Sequence, residues 1–164
     1  MIHLFSRRGV KKRKAKEILN KSKLKVDFDK IKTVKQASII KIREINLLIL
    51  NNIPLIFFND DLNEFFPYVE SYSYFKCPKI IVDRGAVAHI LGGADVMAPG
   101  ILSFDSFTKD DVVIVFGESI SKAIAVGKAL LSSSKLKSIR RGKVVKNLHH
   151  MGDKLWKTLK SLQI

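Results

Sequence analysis

The sequence predicts an α+β fold: a small N-terminal α/β-mixed domain over residues 1–77, followed by a second domain over residues 78–164. Three observations lead there. Ile45 to Leu50 and Leu55 to Phe58 are apolar runs separated by Asn51-Asn52-Ile53-Pro54, whose asparagines and proline are turn formers, so they read as a β-hairpin. Lys79 to Leu102 reads as strand, short helix, glycine loop and strand. Cys77-Pro78 separates these two patterns and marks the boundary. A chain of 164 residues with 46% apolar content is long enough to bury a core in one domain or in two small ones.

Taken in order, residues 1–9 carry no clear pattern. Lys11 to Leu24 is rich in helix formers, with Val10, Ala15, Ile18 and Leu19 on one side, and reads as a basic amphipathic helix. Its cations Lys11, Lys12, Arg13 and Lys14 have two readings, a phosphate-contacting arm or lysines simply facing solvent. The thin apolar face without an aromatic argues against a membrane-surface helix. Val26 to Ile42 partly alternates and suggests a strand or two. After the hairpin, Asp60-Asp61 caps an expected helix from Leu62 to Phe75, carrying Leu62, Phe65, Phe66 and Val69 and bent or delayed by Pro67. Its aromatics read as packing rather than as stacking platforms for bases.

The second domain opens with Ile80-Ile81-Val82, a buried strand by its β-branched content. Asp83 is a good N-cap, with a carboxylate able to accept the amides of the next turn. Ala86, Val87, Ile90 and Leu91 recur at helical spacing, so a helix is expected from Arg84 to Leu91, stopped by Gly92-Gly93. Pro99-Gly100 is a second turn. Thr108 to Asp111 is a polar turn, and Val112 to Phe116 a buried strand closed by Gly117-Glu118. Ser121 to Leu131 has helix-friendly alanines, and periodicity alone leaves helix and strand open. Ser132-Ser133-Ser134 begins a short turn or helix, and Arg140-Arg141-Gly142 turns the chain into a strand from Lys143 to His149. Asp153 caps a last helix from Lys154 to Leu162, with Leu155, Leu159 and Leu162 inward.

Charge narrows the function. Thirty basic residues against fifteen acidic ones give +15, which favours a polyanionic partner. Residues 1–25 hold ten Lys or Arg and one acid, or +9. Residues 119–164 hold eleven and one, or +10, while residues 26–118 hold nine and thirteen, or −4. A merely solubilising surface would mix the signs. The segregation suggests that Lys11 to Lys25 and Lys137 to Lys146 contribute to one footprint.

Catalytic chemistry is poorly represented. The lone Cys77 excludes an internal disulfide and a cysteine-based zinc site, and fits a reducing cytoplasm. Adjacent His149 and His150 would point opposite ways on a strand, so no metal site is expected. Gly85 and Gly92-Gly93 are not followed by the Gly-Lys-Ser/Thr of a phosphate loop, and Ser121 and Ser132 to Ser134 have no attached base. No signal peptide or membrane span is read, and no cofactor is expected.

Val82-Asp83-Arg84-Gly85-Ala86, Gly92-Gly93-Ala94-Asp95-Val96-Met97 and Pro99-Gly100-Ile101 resemble the opening of a PUA domain, the RNA-binding module named after pseudouridine synthases and archaeosine transglycosylases. Ala123-Ile124-Ala125-Val126-Gly127 continues the resemblance. The run Asn147-Leu148-His149-His150-Met151-Gly152-Asp153-Lys154-Leu155-Trp156 is similar to the family of the malignant T-cell amplified sequence protein, the yeast translation machinery-associated protein and ligatin. The resemblance is specific over about residues 79–156. It implies a C-terminal PUA β pseudo-barrel, with Ser121 to Leu131 a strand and Gly127 at a close approach or bulge.

The resemblance also places the Arg84 helix and the glycine loop against RNA, with the strand near Lys143 and Lys146 beside them. Residue chemistry agrees. Arg84 opens a helix, where amides and the dipole attract an anion. Gly85, Ala86, Gly92 and Gly93 carry minimal side chains, and a nucleic-acid backbone can approach them closely. Lys79, Arg140, Arg141, Lys143 and Lys146 are phosphate candidates, and His89 either stacks on a base or packs on its helix. The family implies a non-catalytic RNA-binding factor in translation. Its partners would be rRNA of the small ribosomal subunit and the acceptor end of tRNA, with an initiation-factor-like protein supplied in trans. The alternatives are an RNA-binding accessory subunit of a tRNA- or rRNA-modifying enzyme, and a protein-interaction module that retains no RNA.

Overall fold

The computed structural model describes residues 5–31 and 33–164. The chain forms two compact units, one running from the N-terminal residues to Lys76 together with Ser161–Ile164, the other comprising Cys77–Lys160.

The first unit is built on β1 (Phe5–Gly9), α1 (Lys12–Lys21), β2 (Ala37–Ile42), β3 (Ile45–Leu50), β4 (Ile53–Phe58) and β5 (Phe65–Pro67). The strands form one antiparallel sheet in chain order. Leu47, Leu48, Ile49, Leu55 and Ile56 lie at its buried centre. The expected hairpin is present, and its turn is tighter than the four residues suggested. Asn51 and Asn52 alone turn the chain, with φ of 51° and 65°, the left-handed pair that matches strand twist in a two-residue hairpin. Pro54 instead sits in β4, opposite Ile49 where the register shifts. The Asn51 side chain is also a clamp. Its Oδ1 accepts from the Lys35 and Gln36 amides at 2.8 and 3.1 Å, and its Nδ2 donates to the Thr33 carbonyl at 2.6 Å.

α1 buries Ala15, Ile18 and Leu19, the stripe read from the sequence. β1 carries no apolar pattern because all five of its residues are exposed on an edge. The expected helix from Leu62 to Phe75 does not form. Phe65–Pro67 is a strand, and Val69–Tyr74 is a 3-10 helix. Phe58 opposes Phe65 and Phe57 opposes Phe66 across the sheet, with ring centroids 5.6 and 5.5 Å apart. Aromatic cross-strand pairing outweighs the weak helical signal, and Pro67 is tolerated because β5 is an edge strand.

The second unit holds β6 (Lys79–Val82), α2 (Arg84–Leu91), β7 (Val96–Met97), β8 (Ile101–Phe104), β9 (Val112–Gly117), β10 (Ala123–Ala129), α3 (Ser133–Leu136), β11 (Lys143–His150) and α4 (Lys154–Ser161). The sheet order is β7-β11-β10-β9-β6-β8, with β6 parallel to β9 and the other pairs antiparallel. Its two edge strands, β7 and β8, are joined by the short 3-10 turn Ala98–Gly100. Both ends of the sheet are therefore held together and it curls into a nearly closed pseudo-barrel. Ile80, Val82, Ile90, Val96, Val113, Val115, Ile124, Val144 and Val145 fill the core.

The alanine-rich segment is β10, not a helix, for a reason visible in its glycine. A Cβ at Gly127 would lie 2.3 Å from Val145 Cγ1 and 2.5 Å from the Lys146 carbonyl oxygen. β10 and β11 approach too closely there for any side chain, and the register shifts between Val126 and Gly127. Leu155 and Leu159 of α4 are buried, and Leu162 is half-buried.

Candidate nucleic-acid interface

Asp83 caps α2 as its sequence suggests, its Oδ1 accepting from the Ala86 amide at 2.8 Å. Glu118 Oε1 takes the Arg84 amide at 3.2 Å. Two carboxylates thus occupy two of the donors and face the positive dipole at this end, and the Arg84 amide itself is taken. The exposed Arg84 guanidinium is what this end still offers. Ala86 is half-buried against the core and Gly100 lies close to it, where a Cβ on Gly100 would stand 2.8 Å from Ala86 Cβ. Gly85 is exposed.

The other end of α2 differs. The Gly93 amide donates to the Ile90 carbonyl and the Ala94 amide to the His89 carbonyl, both at 3.0 Å. Gly93 has φ of +96°. This is a Schellman stop with the left-handed residue one place past Gly92, where glycine avoids a Cβ clash. Asn147 of β11 then clasps the loop. Its Nδ2 donates to the Ile90 and Ala94 carbonyls, each at 3.0 Å. Asp95 closes the clasp, its Oδ1 accepting from the Asn147 amide at 2.9 Å and its Oδ2 pairing with Lys143 Nζ at 2.9 Å. The Asn147 amide, then the Lys143 ammonium, hold the Asp95 carboxyl below the usual carboxylate range.

The clasp brings Gly92, Gly93 and Lys143 together, all exposed. Arg140 and Arg141 stand exposed in the turn leading into β11. That turn is pinned to the β7 edge, where the Ala98 amide donates to the Gly142 carbonyl at 2.9 Å and Lys143 opposes Met97. Lys146 is exposed further along β11, opposite Lys128 of β10. His89 is exposed on α2. Lys79 is not part of this group. It lies on β6 with β9 and β10 between it and β11, and its ammonium sits 5.8 Å from the Phe116 ring centroid.

In the first unit Lys11, Lys12, Arg13 and Lys14 are exposed, and Glu17 pairs with Arg13 at 3.6 Å and Lys14 at 3.5 Å. α1 has no acid in its first turn and no side-chain cap. Four cations, the N-cap Lys11 and Lys12, Arg13 and Lys14 of the first turn, therefore sit at the positive end of its dipole, where acids stabilise a helix.

Sequence reading missed Asp95, Glu118 and Asn147 as organising residues, whereas Asp153 is the helix cap it expected. Asn147 and Asp153 lie in the run that carries the family resemblance. Asp153 Oδ2 accepts from His149 Nδ1 at 2.6 Å and from the His150 amide at 3.1 Å, while Oδ1 takes the Trp156 amide at 2.8 Å. Burial opposes the Asp153 carboxylate. The bond and charge of His149 and the Trp156 and His150 amides outweigh it, and the carboxyl is held low. His149 is buried and His150 half-buried, opposite placements as alternation requires. Among the described residues, no three His, Cys, Asp or Glu side chains gather closely enough to hold a metal ion. No helix among them is long and apolar enough to cross a membrane.

Known proteins match this arrangement. The PUA domain family matches residues 78–151. Translation machinery-associated protein 20 of Eremothecium gossypii is 40% identical over 86 residues, 48% of this chain and 48% of that protein, so the chain matches about half the length of that relative. Malignant T-cell-amplified sequence 2 of mouse is 30% identical over 126 residues, covering 73% of this chain and 70% of that protein. The solved PUA-domain protein of Aeropyrum pernix K1 superposes with a TM-score of 0.80 at 25% identity, over 95% of this chain and 91% of that one. The chain belongs to the PUA-domain family that includes the malignant T-cell-amplified sequence and translation machinery-associated proteins.

Proposed function

We propose that this protein is a non-catalytic RNA-binding factor of the cytoplasm that acts in translation, docking on rRNA of the small ribosomal subunit, on the acceptor end of tRNA, or on both. In this reading residues 78–164 form the RNA-binding PUA domain and residues 1–77 a pre-PUA domain. An initiation-factor-like protein joins in trans. The observation that carries the reading is the grouping of the exposed Arg140, Arg141, Lys143 and Lys146 along and just before β11, the strand to which the exposed Gly92-Gly93 loop is clasped by Asn147. Four cations on one strand and its leading turn suit a sugar–phosphate chain, and the glycines let that chain come close. The names of the translation machinery-associated relatives supply the process.

The positions suit shape or an unpaired end better than duplex sequence, since A-form RNA hides its base edges in a deep, narrow groove. Sedimentation with isolated small subunits, and filter binding of a tRNA with and without its unpaired 3′ end, test the reading. Retention is expected in at least one assay, falling as salt rises because neutralised phosphates release counterions. No retention of either RNA at moderate salt would overturn it.

A further inference from the structure

The face just described also carries a ring nitrogen placed for recognition by hydrogen bonding, on His150. His150 Nδ1 lies 2.9 Å from the Met151 carbonyl oxygen. A carbonyl only accepts, so in the neutral ring Nδ1 carries the proton and Nε2 presents a lone pair. The ring is carried on a fixed backbone, because the His150 amide donates to Asp153 Oδ2 at 3.1 Å. Its Nε2 faces Gly93, where a Cβ would stand 3.6 Å away. Glycine at 93 is fixed by its positive φ, and the loop holding it is clasped by Asn147 at two carbonyls. Acceptor and bare backbone are therefore held side by side, with no side chain from residue 93 between the acceptor and an approaching ligand.

We propose that His150 reads the ribose 2′-hydroxyl of the bound strand, so that this face distinguishes RNA from DNA. The inference rests on the RNA reading above and gives it a specificity-determining residue. A lone pair at Nε2 repels phosphate oxygens and requires a hydrogen-bond donor. On a sugar–phosphate chain passing the glycine loop, the donor that recurs beside every phosphate is the 2′-hydroxyl, which is also the group that separates RNA from DNA. His149 does not serve this role, since its Nδ1 is engaged by Asp153 and its ring is buried.

The test compares three versions of one acceptor-stem minihelix with an unpaired 3′ end: RNA, RNA with 2′-O-methyl groups in the unpaired strand, and DNA. Each is titrated against the wild-type chain and His150→Ala, with circular dichroism establishing that the variant is folded at the assay temperature. Wild type is expected to prefer the unmodified RNA by about threefold to tenfold, the range of one net hydrogen bond. In His150→Ala that preference should disappear, while DNA affinity and the salt slope stay unchanged. The wild-type comparison of RNA with 2′-O-methyl RNA tests the proposal even where the variant fails to fold. Equal binding of those two probes by wild type would overturn the inference while leaving the RNA reading intact. So would a His150→Ala variant that weakens RNA and DNA alike. Binding of no probe by wild type would overturn the RNA reading and this inference with it.

Discussion

The two ends of α2 treat charge in opposite ways. At the first, Asp83 and Glu118 fill the amides of Ala86 and Arg84. At the second, a glycine stop is clasped to β11 by Asn147 and Asp95, and Asp95 ties it to Lys143. The dipole of a helix would place an anion site at the first end. In this molecule the Arg84 and Ala86 amides of that end are taken by its own acids, and Lys143 is tied to the other end through Asp95. A helix start is an anion site only when the chain leaves its amides open.

The contrast can be broken at each clasp. The largest effect is expected from Asn147→Ala, which removes two side-chain hydrogen bonds and strips the Ile90 and Ala94 carbonyls of their Asn147 partner. It should lower stability by about 2 kcal/mol, two net hydrogen bonds of about 1 kcal/mol each. Hydrogen exchange should locate the loss at residues 90–95. Asp83→Ala should cost about 1 kcal/mol, the usual value of an N-cap, and leave exchange at residues 92–95 unchanged. Chemical denaturation of both variants checks the order.

A smaller effect is expected from acid. Asp95 has its folded pKa depressed by the Asn147 amide and the Lys143 ammonium. Its contribution is therefore present above the unfolded carboxyl value near 4 and is lost as pH falls below that through the folded pKa. Asp95→Asn should flatten the acid limb of the stability profile by lowering stability at neutral pH, where the carboxylate contributes, and leaving it unchanged at the acid end. Smaller still is an effect on reactivity. Burial, then the nearby Asp111 charge, pushes the Cys77 thiol up to about 11, so alkylation at pH 8 should run well below the rate of a free cysteine, which has more thiolate.

Much of the second unit was legible because its elements are locally determined. Asp83, the helical spacing to Leu91 and Gly92-Gly93 specify α2 from end to end, and the structure gives Arg84–Leu91. The hairpin at Asn51-Asn52 was legible for the same reason. What stayed hidden depends on partners distant in sequence. Phe65 and Phe66 form a strand because Phe58 and Phe57 wait across the sheet. Asn147 lies 57 residues from the Ile90 carbonyl it holds, and Glu118 lies 34 from the Arg84 amide it fills. No periodicity reports such pairings. The candidate cations were readable as a group on β11 and its leading turn, whereas the separation of Lys79 from them follows only from the strand order.

The central claim is that phosphate is met along β11 and its leading turn and not at the acid-capped start of α2. The most direct measurement is the slope of log affinity against log salt for the RNA minihelix, taken for wild type, Arg84→Ala and the double variant Arg140→Ala/Arg141→Ala. The account predicts a double-variant slope shallower by about 1.4–1.8, two phosphates' worth, and an Arg84→Ala slope equal to wild type. A slope that falls with Arg84→Ala and holds in the double variant would contradict it.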